Sequence, residues 1–415
     1  MATWSVRSGR FLVGALALVG GAGALSPGTA EGTGSNDHVI VLLDPEGSTG
    51  LVTSLLQTAS WVVEEQDTSA GLLRVRKNGI LAWSVGTIVS ALEALGVVRA
   101  AESLVSARHH PDYQGQQSVP VLLDDDLSAA TIRTEDAFVL MNVPTAPPSP
   151  SSTTPRIAFL DGGFQLDHEA FPVARLAEEW DAMDHDADAE DFGNDVDDDG
   201  DGLVDSGKGH GLGMVAAALV VCPHADIYCA RVLDDEGRGD TWSVANGLAW
   251  AMSQGVDVIS LCFGMSGYSD VIDLMLQDAA NQGIVVVASA GNQGAASLAF
   301  PANLSHVLAV SGTEEDGDAH TVANFHADTW MSAPSRNVPG PDPDDAEGYG
   351  WWSGTSVSCA LAAGTLALAI GEDPGDPWET IEDLEADALA FGTLPEPRVG
   401  KQGVGIFDVG AVTAP

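Results

Sequence analysis

The chain has 415 residues, 45% of them hydrophobic, and carries 60 Asp or Glu against 16 Lys or Arg, a formal net charge of −44. Its length exceeds an average single domain, and its apolar content is ample for a large core. So strong an acidic excess argues against nucleic acid and anionic membranes as partners, and it suits solubility, cation binding or a saline habitat.

In chain order, residues 1–30 have the layout of an export signal. Arg7 and Arg10 form a basic start, Phe11 to Leu25 an apolar run, and Pro27 to Ala30 a small-residue exit. A buried N-terminal helix is the alternative. The run is short and rich in glycine for a membrane span. A second apolar stretch, Val357 to Ile370, has only fourteen residues. The expectation is a secreted protein, extracellular or periplasmic, with no membrane span once the signal is removed.

Residues 31–110 alternate strand and helix patterns. His38 to Leu43 reads as a strand, Leu51 to Glu64 as a helix, and Gly71 to Val75 as a strand. Trp83 to Leu95 reads as a second helix and Val97 to Leu104 as a last strand, together a small α+β domain. From Ser106 to Thr154 the chain is polar, acidic and Pro-rich, ending in PTAPPSPSSTTP. Residues 111–154 are thus expected to be a linker or maturation region, or a clamp lying on a surface.

From Arg156 onward, short apolar runs bounded by Gly and Asp recur: RIAFL, ADIYCARVL, VDVISLCF, GIVVVASA and SHVLAVSG. Helical patterns over 211–221, 242–254 and 269–282 separate them. Near-continuous apolar strands alternating with amphipathic helices predict an α/β fold over residues 155–415: a three-layer sandwich with a mostly parallel central sheet. Four cysteines are too few for a disulfide scaffold. Cys222 and Cys229 could close a small loop, and Cys262 and Cys359 could be a second bridge or buried thiols.

Four segments carry chemistry. Asp161 ends the strand RIAFL, where ligand sites of open α/β sheets lie. An acid there can orient a histidine and stabilise its cation. His210 stands between two glycines at the start of an apolar helix, positioned as a base. Ser356 opens the helix VSCALAAGTLALAI, whose N-terminus offers free N–H groups and partial positive charge to an oxyanion. Asn292 closes GIVVVASAGN, and its side-chain amide is a candidate second oxyanion donor. Acid, base and hydroxyl are the parts of a nucleophilic hydrolase.

These segments resemble the subtilisin-like serine proteases, from about Phe138 to Ala411. The family's Asp-Ser/Thr-Gly stands here as Asp161-Gly162-Gly163, its His-Gly-Thr as His210-Gly211-Leu212, and its Gly-Thr-Ser-Met-Ala-x-Pro as Gly354-Thr355-Ser356-Val357-Ser358-Cys359-Ala360. The resemblance implies a secreted serine endopeptidase acting on polypeptides through Asp161, His210 and Ser356 and an acyl-enzyme, with no cofactor for catalysis. It implies that an extended peptide adds alongside Leu261, Cys262, Phe263 and Gly264. It also implies that Ala288, Ser289, Ala290 and Gly291 wall the primary specificity pocket. HVIVLL and LEALGVVRAAE match the family's inhibitory propeptide, so the N-terminal segment is expected to be an intramolecular inhibitor and the enzyme a monomer. The departures from the motifs leave a catalytically silent binding or scaffold protein of the same fold as the alternative.

Residues 181–206 form an acidic insertion, with twelve Asp or Glu and no Lys or Arg between Asp181 and Asp205. Asp195, Asp197, Asp199, Asp201 and Asp205 space their acids around Gly200 partly in the manner of a Ca²⁺ loop, which needs six to eight oxygen ligands. Ser206 stands where the loop's last Glu would be. A structural Ca²⁺ close to His210 is therefore an expectation, and a solvated acidic loop is its alternative.

Overall fold

The structure, a computed structural model, describes residues 37–413 except 46–48, 80–81, 110–132, 134, 151–152, 172, 191–192, 201 and 346–347. The signal-like segment, most of the proline-poor half of the expected linker, and Asp201 lie outside the described residues.

The N-terminal unit is a four-stranded antiparallel sheet with two helices. Its elements are β1 (His38–Leu43), α1 (Thr49–Ala59), β2 (Trp61–Asp67), β3 (Leu72–Lys77), α2 (Val85–Glu93) and β4 (Val98–Ser103), with strand order β2-β3-β1-β4. The period of two along a strand explains why HVIVLL is apolar throughout. Val39, Val41 and Leu43 pack on the unit's own helices with Leu56, Ile88 and Leu92. Ile40 and Leu42 face the other way, into a cluster shared with Val271 and Met275 of the following domain.

One expected helix is shorter than its pattern. Leu51 to Glu64 was expected to be helical throughout, but the helix ends at Ala59 and residues 61–64 belong to β2. Ser60 takes a left-handed φ of 59°, which breaks the helical run. Trp61, Val62 and Val63, aromatic and β-branched, then pair with β3.

The larger unit has seven strands in the order β14-β13-β12-β10-β6-β8-β7, all paired in parallel. They are β6 (Arg156–Asp161), β7 (Leu176–Asp181), β8 (Asp226–Arg231), β10 (Val258–Leu261), β12 (Val285–Ser289), β13 (Leu308–Thr313) and β14 (Met331–Pro334). Alternate residues feed opposite layers: Ile157, Phe159, Val258, Val285 and Val287 one, Ala158, Leu160, Ile259, Val286 and Ala288 the other. On the first face lie helices His210–Val221 and Thr355–Glu372, and on the second Thr241–Ser253 and Asp270–Asn281. These are numbered α4, α7, α5 and α6. The three-layer α/β sandwich expected from the sequence is therefore the observed architecture, with a fully parallel main sheet.

Part of the segment read as a linker is built into this body. A short helix, α3 (Asp136–Leu140), puts Phe138 into the main core together with Met141. Helix α7 is long and apolar enough to cross a membrane by length and composition, yet 89% of it is buried in the protein, as a central helix apolar on all sides should be. All four cysteines are free and buried. Burial pushes the Cys222 thiol up to about 12 and holds those of Cys229 and Cys262 well above the usual range, so they serve as packing groups.

Helices α4 and α7 touch through Gly364, where an added Cβ would sit 2.5 Å from the Ala218 carbonyl oxygen. Gly364→Ala gains about 1 kcal/mol of helix preference but forces apart two core helices, at a cost of about 1–3 kcal/mol. Thermal unfolding should show a lower midpoint; a higher one would contradict this close approach.

Candidate active site

The site lies at the carboxyl end of the parallel sheet, where strands stop and helices begin. Asp161 is the last residue of β6 and is 1% exposed. Its Oδ1 accepts three hydrogen bonds: from the Gly162 N–H at 2.7 Å, His210 Nδ1 at 2.6 Å and His109 Nε2 at 3.0 Å. Its Oδ2 is buried with no partner among the described residues. Burial alone would raise the Asp161 carboxyl, but the adjoining His210 and the bonds from His109 and His210 outweigh it and hold the group well below the usual carboxylate range.

Glycines bring His210 there. Gly209 precedes α4 with a left-handed φ of 74°. A Cβ on Gly211 would stand 2.6 Å from the Gly163 carbonyl, so only a bare backbone lets the first turn of α4 rest on the turn that follows Asp161. His210 is thus the first residue of a helix buried in the core, with Trp352 edge-on to its ring at 6.3 Å. The chain leading to it is pinned by Gly207, whose N–H donates to the Asp235 carbonyl at 2.7 Å.

Ser356 is the second residue of α7, follows Gly354 at φ 135°, and is 5% exposed. Its hydroxyl donates to the Cys262 carbonyl at 2.8 Å. A hydroxyl has one proton, so in this rotamer it is not offered to His210. Asn292 lies just beyond β12, and its side-chain oxygen accepts from the Thr355 N–H at 2.8 Å and the Thr355 hydroxyl at 2.9 Å. The oxygen is committed in this way, and the two amide hydrogens remain as donors beside the start of α7. Ala288, Ser289, Ala290 and Gly291, all buried, run along the end of β12 directly into Asn292.

A second sheet completes the groove. Strand β11 (Phe263–Met265), β5 (Ser106–His109) and β9 (Arg238–Asp240) are paired in the order β11-β5-β9. Both contacts are antiparallel, with Phe263 opposite His109, Gly264 opposite Arg108, and Ala107 opposite Gly239. Of the residues expected to border a peptide, Phe263 and Gly264 therefore do border an extended strand, and it is the chain's own. Leu261 ends β10, and Cys262 links it to β11. The Ser106–His109 segment, the start of the polar stretch read as a linker or a surface clamp, is an ordered strand instead of a loop, with Ala107 buried and Arg108 exposed, because two strand edges meet it.

His109 was not singled out from the sequence. Its ring stacks on His210 with centroids 3.8 Å apart and an interplanar angle of 27°. Burial lowers its pKa, and the neighbouring His210 lowers it further, against the opposing pull of Asp161. His109, Asp161 and His210 are also the one group of metal-capable side chains among the described residues, with their ligand atoms within 4.8 Å of one another. The one signal of this neighbour in the residues is Gly162, where the resembling family has Ser or Thr.

Two of the acids expected to ligate Ca²⁺ accept bonds from backbone N–H groups. Asp205 accepts from the N–H groups of Asn194 and Asp195 at 3.0 and 2.9 Å, and Asp197 from Gly200 and Gly202 at 2.7 and 3.0 Å. Glu236, which the sequence reading passed over, accepts from Asp198 and Ser206 at 3.0 and 3.1 Å. The described carboxylates of Asp195, Asp197, Asp199 and Asp205 do not converge as a ligand set in this structure. The loop is held by carboxylate-to-amide bonds, and no step of the chemistry below passes through a metal.

Residues 152–402 match the subtilase family. Subtilisin BL of Lederbergia lenta is 31% identical over 198 residues, covering 45% of this chain and 72% of that one. A thermostable alkaline protease of Halalkalibacterium halodurans is 33% identical over 176 residues, 40% of this chain and 48% of that one. Fervidolysin of Fervidobacterium pennivorans, a keratinolytic enzyme related to subtilisin, superposes with a TM-score of 0.68 over 94% of this chain and 62% of its own, at 18% identity; at that identity the likeness speaks for the fold. The chain belongs to the subtilase family of serine endopeptidases.

Proposed function

We propose that the chain is the self-inhibited precursor of a secreted endopeptidase, with Asp161, His210 and Ser356 as its triad. The observation that carries this reading is the 2.6 Å bond between His210 Nδ1 and the buried Asp161 carboxylate. It fixes the imidazole so that its other nitrogen is the base. The Ser356 hydroxyl turns from the Cys262 carbonyl to that nitrogen, gives up its proton and attacks the scissile carbonyl. The oxyanion takes hydrogen bonds from the Asn292 amide and the Ser356 N–H at the positive end of α7; one such donor contributes about 2.7–4 kcal/mol. His210 then passes the proton to the leaving amine, and water, activated in the same way, releases the acyl group.

The N-terminal unit acts as the inhibitor. Arg99 pairs with Asp278 at 3.0 Å, and Glu102 accepts from the Asp270 N–H at 2.8 Å and from the Ser269 hydroxyl, capping α6. Val105 exchanges bonds of 2.8 and 2.9 Å with Thr241 at the start of α5. These contacts deliver β5 to the groove as an added strand. Among the motif departures, Leu212 and Ala360 are wholly buried in the main core, which supports a packing role for both positions and favours an active enzyme over a silent relative.

Two measurements check the proposal. Ser356→Ala should lower peptide turnover by about a millionfold and leave the N-terminal unit attached; a variant that still cleaves peptides or matures alone contradicts the scheme. In that inactive variant, hydrogen exchange at β5 should depend on pH. Docking depresses the His109 pKa, so docking is strongest above the free value of 6.5 and weakens as pH falls below it. Glu102, raised by burial, acts in the opposite sense, so His109→Ala isolates the histidine contribution. Docking that tightens in acid only when His109 is present would contradict the sign.

A further inference from the structure

We infer that Gly162 and Gly237 form a slot for an imidazole beside the catalytic pair, so that the enzyme selects peptides with histidine at the position that His109 takes. This inference rests on the endopeptidase reading above. Strand β5 is extended and paired on both edges, as a bound substrate would be, and the His109 N–H donates to the Gly237 carbonyl at 2.9 Å. The His109 side chain, 13% exposed, enters a space with three walls. The His210 ring is one, stacked at 3.8 Å. Gly237 is the second: a Cβ there would lie 2.4 Å from His109 Nδ1. Gly162 is the third, where a Cβ would lie 3.3 Å from Cε1. At the end of the slot stands Asp161 Oδ1, accepting from Nε2 at 3.0 Å.

Each wall selects for one property of the side chain. The two glycines and the stacked ring admit a flat group. The carboxylate asks that group for a hydrogen-bond donor at the reach of an imidazole Nε2. A phenyl ring has the shape without the donor and leaves Asp161 one bond short in a buried place, and alanine supplies neither. Gly237 has φ +67° and would be glycine for its backbone alone, but Gly162 has no such backbone reason. The space for the imidazole supplies one, and it accounts for the departure from the Ser or Thr of the resembling motif.

The register sets the test. Phe263 faces the His109 position, and the next residue of a bound peptide falls opposite Cys262, whose carbonyl holds the Ser356 hydroxyl. Fluorogenic peptides Ser-Ala-Arg-X followed by one constant residue and the leaving group therefore vary the slot residue X. For the enzyme matured from the full-length chain, kcat/KM with X = His should exceed that with X = Ala or Phe by about tenfold, and Gly162→Ser should bring the His-to-Ala ratio close to one. A ratio near one in the unmodified enzyme, or one that Gly162→Ser does not alter, overturns the inference while leaving the endopeptidase reading intact. If the chain neither matures nor cleaves any peptide, that reading fails, and the slot is still decided by hydrogen exchange in full-length Ser356→Ala. There, His109→Ala and Gly162→Ser should each reduce β5 protection several-fold, with the exposed Arg108→Ala as control. Equal protection in all of them overturns the slot.

Discussion

The burial of the Asp161 carboxylate is the constraint on which the rest of the site depends. A charge with 1% exposure is tolerated only where donors replace water. Three of them meet on one oxygen: a backbone N–H from its own turn, the catalytic imidazole, and the imidazole of the docked strand. The first is fixed by the chain path, and the second by the rigid start of a core helix. The third comes from a segment that must leave if substrate is to enter. In the proposed precursor the same carboxylate therefore holds both His210 and the docked strand.

The fold makes this arrangement cheap to maintain. Parallel strands bring Asp161 and the end of β12 to the carboxyl end of the sheet, and helices on one face start there with His210 and Ser356. Gly211 against Gly163, and Gly364 against Ala218, are the two close backbone approaches that let these helices pack on the strand ends and on each other. Thr355 ties the Asn292 side chain to the helix that carries Ser356, so the proposed oxyanion donor and nucleophile share one support.

Much of this could be read in the residues because it is local. The triad positions are marked by neighbouring glycines and by the switch from strand to helix patterning, and the layers by alternation along RIAFL, VDVISLCF and GIVVVASA. What escaped depends on distant partners. The end of α1 at Ser60 follows from the pairing of Trp61–Val63 with β3. Four residues, Ser106 to His109, and three, Arg238 to Asp240, are too short to announce a strand, and they form one only because each finds an edge. His109 looks ordinary in sequence, since its chemistry comes from meeting Asp161 and His210 across 52 and 101 positions. The acids of the insertion suggest a cation by spacing; the backbone amides whose bonds Asp197 accepts, brought round by left-handed turns at Gly200 and Gly202, depend on the folded loop and were not legible.

The central claim is that Asp161, bonded to His210, makes Ser356 a nucleophile. Labelling the purified mature protein with a fluorophosphonate and mapping the adduct by mass spectrometry tests it most directly. The account predicts a single adduct on Ser356 whose rate of formation collapses in His210→Ala and falls strongly in Asp161→Asn. An unlabelled Ser356 in the folded, mature protein, or labelling that persists without His210, would contradict it.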